Sequence, residues 1–282
     1  MAVSAGVPVL RGLLLACHPG PTLAVTTLAG LLALAAGGPA GLTAHVVLVV
    51  LVGQLSIGWS NDWIDAGRDA AVGRTDKPLA THTVSAAAVR AAAWTALILS
   101  VPLSLSLGVR SGVAHLVVIA GGWAYNAGLK ATGWSWLPYA VSFAALPAVA
   151  VQALPGSPRP AAWLLASGAL LGVGAHLTNA LPDLEQDRAT GVVGLPHRLG
   201  RRVTGVVAPL LLVAASALVV VAPPGPPTPA GWAGLGVGLA VLAAAAVAST
   251  TRPASRMPFA ASVVVALVDV VLLVVTGSAL VV

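Results

Sequence analysis

Eight of the 282 residues are acidic, and all but Asp269 fall in two short segments. Asp62, Asp65, Asp69 and Asp76 lie in GWSNDWIDAGRDAAVGRTDKPLA, and Asp183, Glu185 and Asp187 lie in GAHLTNALPDLEQDRATGVVGLPHRLGRR. On a helix, Asp62, Asp65 and Asp69 stand at i, i+3 and i+7 and share one face, with Asn61 at its edge. Asn179, Asp183 and Asp187 stand at i, i+4 and i+8 and share another, while Glu185 points away. Pro182 either kinks this second helix or breaks it.

Carboxylates gathered on one face repel one another unless a cation sits among them. A donor set made of oxygen alone, without His or Cys, favours a hard ion, and Mg²⁺ is held by one or two carboxylates together with substrate phosphates. Two such faces opposed across a cavity would hold two or three Mg²⁺ ions around a diphosphate. Arg68, Arg74, Lys77 and Lys130 would offset the phosphate charge and stabilise the diphosphate as a leaving group. The plainer alternative is a pair of solvated acid–base loops at a membrane surface. Two segments, each with an Asn and each spaced for one helical face, favour the site.

The elements that must position these residues are apolar. The chain is 58% hydrophobic and only 8% charged, with a mean hydropathy of +0.96, whereas soluble domains carry about 25% charged residues. Apolar runs recur from end to end, as in a helical bundle in lipid, and the alternation of a membrane β-barrel is absent. Nine spans are expected, at 22–36, 44–60, 85–106, 111–127, 137–153, 161–180, 204–221, 229–249 and 259–276, with an interfacial helix over 7–17. The fold class is therefore all-α and polytopic, with no cleavable leader and no internal disulfide, since Cys17 is the single cysteine.

The net charge of +6 follows a membrane pattern rather than a nucleic-acid one. With the N-terminus in the cytoplasm, only Arg110 and Arg159 of the 14 basic residues fall in outer loops. The acidic segments then lie on the cytoplasmic side of a multi-pass cell-membrane protein. They follow spans 2 and 6, which suggests one domain over 1–282, built of two four-helix halves, about 1–130 and 131–250, plus a ninth helix.

Asn61-Asp62-x-x-Asp65-x-x-x-Asp69, followed by Arg74-Thr75-Asp76-Lys77-Pro78-Leu79, resembles the first motif of the UbiA superfamily of intramembrane prenyltransferases. Asp183-x-x-x-Asp187 with Gly191 and Leu195 to Gly200 resembles the second, and Tyr125-Asn126-x-x-Leu129-Lys130 is similar to the family's Tyr/Lys segment. The resemblance covers nearly the whole chain. It implies nine helices around a central cavity, metal binding by Asn61, Asp62, Asp65, Asp69, Asp183 and Asp187, and a catalytic part for Asp62, Asp65, Asp183 and Tyr125. It also implies that an allylic prenyl diphosphate is ionised and its prenyl group passed to a lipophilic or aromatic acceptor. One departure is a tyrosine often found just before the second acidic group, here replaced by the stretch with Asn179 and Leu181. In that respect the match is closer to members acting on non-benzoate acceptors.

Other readings stay open at this level. A terpene cyclase of the same superfamily would need the same metal apparatus and no acceptor. A transporter would place carboxylates near the bilayer midplane, where only Asp269 is expected, and there a hydrogen-bonded carboxyl packed between helices explains it equally well. A nucleotide-dependent phosphoalcohol transferase is set aside because Asp65-Ala66-Gly67-Arg68-Asp69 does not reproduce its motif. Asn126, Asn179, His176, Trp59 and Trp63 are expected to line the cavity, although the tryptophans would also serve as interfacial anchors and His176 as a packed core residue. His18, His82 and His197 are given no role, and Cys17 reads as a small apolar filler.

Overall fold

The computed structural model describes residues 6–71, 73, 77–81, 83–252 and 254–281. Its helices are α1 (Gly6–Ala16), α2 (Pro19–Ala35), α3 (Ala40–Ala71), α4 (Ala86–Leu105), α5 (Val109–Asn126) and α6 (Leu137–Gln152), followed by α7 (Ala162–Ala180), α8 (Leu184–Ala189), α9 (Leu195–Val221), α10 (Pro229–Thr251) and α11 (Met257–Thr276). Each of the nine expected spans coincides with one long helix, and α1 takes the place of the interfacial segment.

Local chemistry sets the breaks. His18 stands in the left-handed region at φ 55° and is followed by Pro19 and Pro21, which cannot donate to a preceding turn. α1 and α2 therefore meet at a bend of 63°. At the second acidic segment Pro182 ends the ladder of α7, and a separate six-residue helix, α8, starts after Asp183. The single continuous face expected for Asn179, Asp183 and Asp187 is thus divided between two helices. α9 carries its own break at Gly200, where φ is 78°.

Among the described residues, five helices are long and apolar enough to cross a membrane on their own, α3, α4, α9, α10 and α11, and a sixth span arises if α1 and α2 count as one. α5 and α7 fall short in hydropathy because polar side chains such as His115, Asn126, His176 and Asn179 face the interior of the bundle. α3, with 32 residues, is about 48 Å long at 1.5 Å per residue and outruns the ~30 Å hydrocarbon core. Its last turns, Asn61 to Asp69, are thereby lifted to the rim.

The long helices close a ring. α2 packs on α3, α3 on α5, then α6, α7, α9, α10 and α11 follow, and α11 returns to α2, while α4 packs outside against α3 and α5. The apolar core of this ring lies away from the acidic rim and includes Leu28, Val49, Leu146, Leu164, Val219 and Leu273. Within it, Asp269 on α11 is buried and accepts a hydrogen bond from Ser216 Oγ on α9 at 2.9 Å. That is the packed, hydrogen-bonded carboxyl allowed for above.

Small residues let the helices approach closely. Gly58 of α3 lies directly beneath the carbonyl of Cys17, where a Cβ would collide with backbone. Backbone cannot yield as a flexible side chain can, so Gly58→Val should cost at least the ~1–3 kcal/mol of an overpacked core. The expected result is a fall in melting temperature of the detergent-solubilised protein, checked by thermal unfolding.

Candidate functional site

A cavity of about 550 Å³ opens at the rim of the ring and runs down between α2, α3, α5, α6, α7 and α11. Its upper wall carries Asp65, Asp69, Asp183 and Asp187, so the two acidic groups, 114 or more residues apart in the chain, meet at one mouth. Arg68, Lys77 and Lys130 share that mouth. Lower down the walls become apolar, with Val118, Leu146, Leu171 and Ala266.

Two of the acids on α3, Asp62 and Asp65, have a cation drawn from another segment. Asp65 receives Lys130 Nζ at 2.5 and 2.6 Å on its two oxygens and also pairs with Arg68. Lys130 sits on a 3₁₀ turn, Leu129–Ala131, just after α5. Burial lowers its pKa below that of a free lysine, and the carboxylate of Asp65 opposes the shift. Asp62 is only 2% exposed. Its Oδ1 accepts from Lys77 Nζ at 2.6 Å and lies 2.8 Å from His18 Nε2, at the α1–α2 bend.

Asp62, expected to bind metal on the same face as Asp65, lies buried just behind the cavity wall, against His18 and Lys77, which do line the cavity. Asn61 does face the cavity, its amide donating to Asn126 Oδ1 at 3.0 Å, and Asn126 in turn donates to Ser60 Oγ and the Ile57 carbonyl. These bonds fix the start of the acidic face against α5.

Tyr125, Asn126 and Asn179 line the cavity as expected. His176 does not. Its Nε2 meets Ser135 Oγ at 3.0 Å, and its ring packs behind Tyr139 with centroids 4.9 Å apart. Ser135 Oγ also accepts the Leu195 N–H at 2.8 Å, which ties His176 to the start of α9. Trp59 and Trp63 are also off the cavity, because the edge of α3 that bears them faces α1 and α4. Trp59 donates to the Leu13 carbonyl at 2.9 Å, and Trp63 packs against Trp94. Arg74 and Asp76 lie outside the described residues.

The sequence reading missed His18, Tyr139, Gln186 and Arg256, all on the cavity wall. Tyr139 meets Tyr125 edge to face at 5.2 Å, so two tyrosines stand together. The Pro-Gly-Pro run after His18 was the available signal for a break facing the site. Tyr139, inside an apolar run, gave none.

The donor chemistry suits a hard cation. Every acid at the mouth offers oxygen, and Asp62 Oδ2 is buried with no hydrogen-bond partner among the described residues, an arrangement that costs about 1–3 kcal/mol unless something satisfies it. Among the described residues no three carboxylate, imidazole or thiol groups form a closed metal cage. An ion held by one or two carboxylates that takes its remaining ligands from phosphate and water needs no such cage.

Residues 23–278 match the sequence model of the UbiA prenyltransferase family. Over 187 residues the chain is 32% identical to the bacteriochlorophyll synthase 33 kDa chain of Cereibacter sphaeroides, a stretch covering 61% of this chain and 60% of that protein. The chain thus spans about three fifths of that relative. A solved UbiA homologue from Archaeoglobus fulgidus, bound to GPP and Mg²⁺, superposes with a TM-score of 0.70 at 13% identity, over 94% of this chain and 99% of that one. The apo structure of a UbiA homologue from Aeropyrum pernix K1 gives 0.73 at 15% identity, over 91% and 98%. At these identities the likeness is one of fold.

The Asp62–Lys77 pair yields a double-mutant test. Lys77→Met leaves a buried carboxylate short of its cation and should cost about 3–5 kcal/mol. Adding Asp62→Asn should restore most of the melting temperature, because the charge needing compensation is gone. Thermal unfolding of the two single variants and the double variant measures the coupling.

Proposed function

The chain belongs to the UbiA prenyltransferase family, and on that premise we propose that it is an integral membrane enzyme transferring the prenyl group of an allylic diphosphate to a lipophilic or aromatic acceptor, with release of diphosphate. The observation that carries this reading is the cavity itself. It joins carboxylates from α3 and from the α7–α8 break at one mouth, adds Arg68, Lys77 and Lys130, and continues into an apolar interior. The diphosphate would lie at the mouth and the prenyl chain below it, among Val118, Leu146 and Leu171.

Asn61, Asp65 and Asp69 on one wall and Asp183 and Asp187 on the other would hold Mg²⁺, two or three ions in all, with the buried Asp62 behind them. The ions, when bound, would supply positive charge that offsets the diphosphate and eases its departure. Lys77 and Lys130 sit close enough to exchange their carboxylate partners for phosphate oxygens. Arg68 and, from its place in the sequence, Arg74 would add to that charge. Tyr125 and Tyr139 present aromatic faces and hydroxyls where positive charge would develop on the prenyl carbon. The apolar walls keep water from that carbon. The family relationship and the distribution of basic residues support nine membrane spans, a cytoplasmic N-terminus and a mouth on the cytoplasmic side.

Incubation of the purified protein with C10 to C20 allylic diphosphates, Mg²⁺ and candidate acceptors should give prenylated acceptor and diphosphate. Chelation should abolish both, and Asp65→Ala or Asp183→Ala should lower turnover by roughly 100-fold or more with the fold retained. A cyclic terpene formed without an acceptor would replace transfer by cyclisation, and no diphosphate release from any donor would defeat the proposal. Asp269→Asn, which keeps a partner for Ser216, should leave turnover close to that of the wild type in the same assay.

A further inference from the structure

α8 has six residues, too few to be stable alone, since a helix this short barely completes its nucleus. It nevertheless carries Gln186 and Asp187 on the cavity wall. What holds it comes from the loop that follows it and from the start of α9. The guanidinium of Arg188 donates to the carbonyl of His197, and the Val192 N–H returns to the Asp187 carbonyl at 2.8 Å.

The side chain of His197 is the telling feature. It is only 4% exposed. The Gly194 N–H donates to its Nδ1 at 3.1 Å, so Nδ1 is an acceptor and the ring proton of the neutral imidazole resides on Nε2. That Nε2 is buried without a hydrogen bond of good geometry among the described residues, yet Asp187 Oδ2 lies 3.3 Å away. The Gly194 turn is itself fixed. A Cβ there would meet the Lys130 carbonyl and Ser135, and the adjacent Leu195 N–H is held by Ser135 Oγ at 2.8 Å.

We infer that His197 is a positioning residue for Asp187: its Nε2–H, aimed by the Gly194–Leu195 turn, orients one carboxylate oxygen so that the other faces the cavity. This rests on the reading of Asp187 as an ion ligand. The imidazole touches neither ion nor substrate, and it acts through the carboxylate as an outer partner of a ligand. Asp187 is about one third exposed, so without such a partner its carboxylate would turn freely.

Two substitutions separate this role from a structural one. His197→Asn keeps an acceptor for the Gly194 N–H and is too short to reach Asp187, whereas His197→Gln places an N–H near the position of Nε2. Binding of Mn²⁺ with inorganic diphosphate to the full-length protein in detergent, read by electron paramagnetic resonance, should weaken about tenfold in the Asn variant. The Gln variant should stay near the wild type. Equal affinity for the Asn variant and the wild type, or an equal loss in both variants, would overturn the inference. A merely structural role would lower both melting temperatures without separating the two ion affinities. Failure of the wild type to take up the ion removes the reading of Asp187, and this inference with it.

Discussion

A carboxylate in an apolar surrounding must be given a counter-charge, and the architecture of the rim answers to that requirement. Removing an unpaired charge from water costs several kcal/mol even after relaxation. Asp62 and Asp65, one turn apart on α3, meet the cost with cations from two places in the chain, Lys77 after α3 and Lys130 after α5, while His18 at the α1–α2 bend adds a polar contact to Asp62. Each cation fastens another segment to α3. The pairs that make the acids tolerable therefore also fold the mouth of the cavity.

On the proposed reading the same pairs would also serve an anion. Lys77 and Lys130 already stand beside oxygen acceptors, and a phosphate group would present more of the same chemistry. Meanwhile the extra length of α3 keeps this charge at the edge of the hydrocarbon, and the interior needs few polar groups. One of these, Asp269, is buried and bonded to Ser216, whereas Thr26 Oγ1 and His115 Nε2 are buried with no partner among the described residues.

Helix positions were legible in the sequence, because in lipid an apolar run has few choices other than a helix. The acidic face of α3 was legible through its spacing, and Asn61, Asp65, Asp69, Asp183 and Asp187 do share one cavity. Rotation about the helix axis was harder to read. Asp62 lies three residues before Asp65, yet it is buried behind His18 and Lys77 while Asp65 lines the cavity. Trp59, Trp63 and His176 also depended on which neighbour packs beside them, and that is set by helices far away in sequence. Pro182 allowed either a kink or a break, and the structure has a break. His197 carried no pattern at all, since its partner Asp187 lies across a loop and its tautomer is set by a backbone amide.

The break between α7 and α8 gives the mouth two unlike jaws. One is α3, a single uninterrupted rod anchored along its length by α2, α4 and α5. The other is a short helix that begins after the break at Pro182 and packs on the start of α9. The distance between the two acidic walls is therefore fixed on one side by the packing of a whole helix, and on the other by the bonds that join α8 to the residues following it.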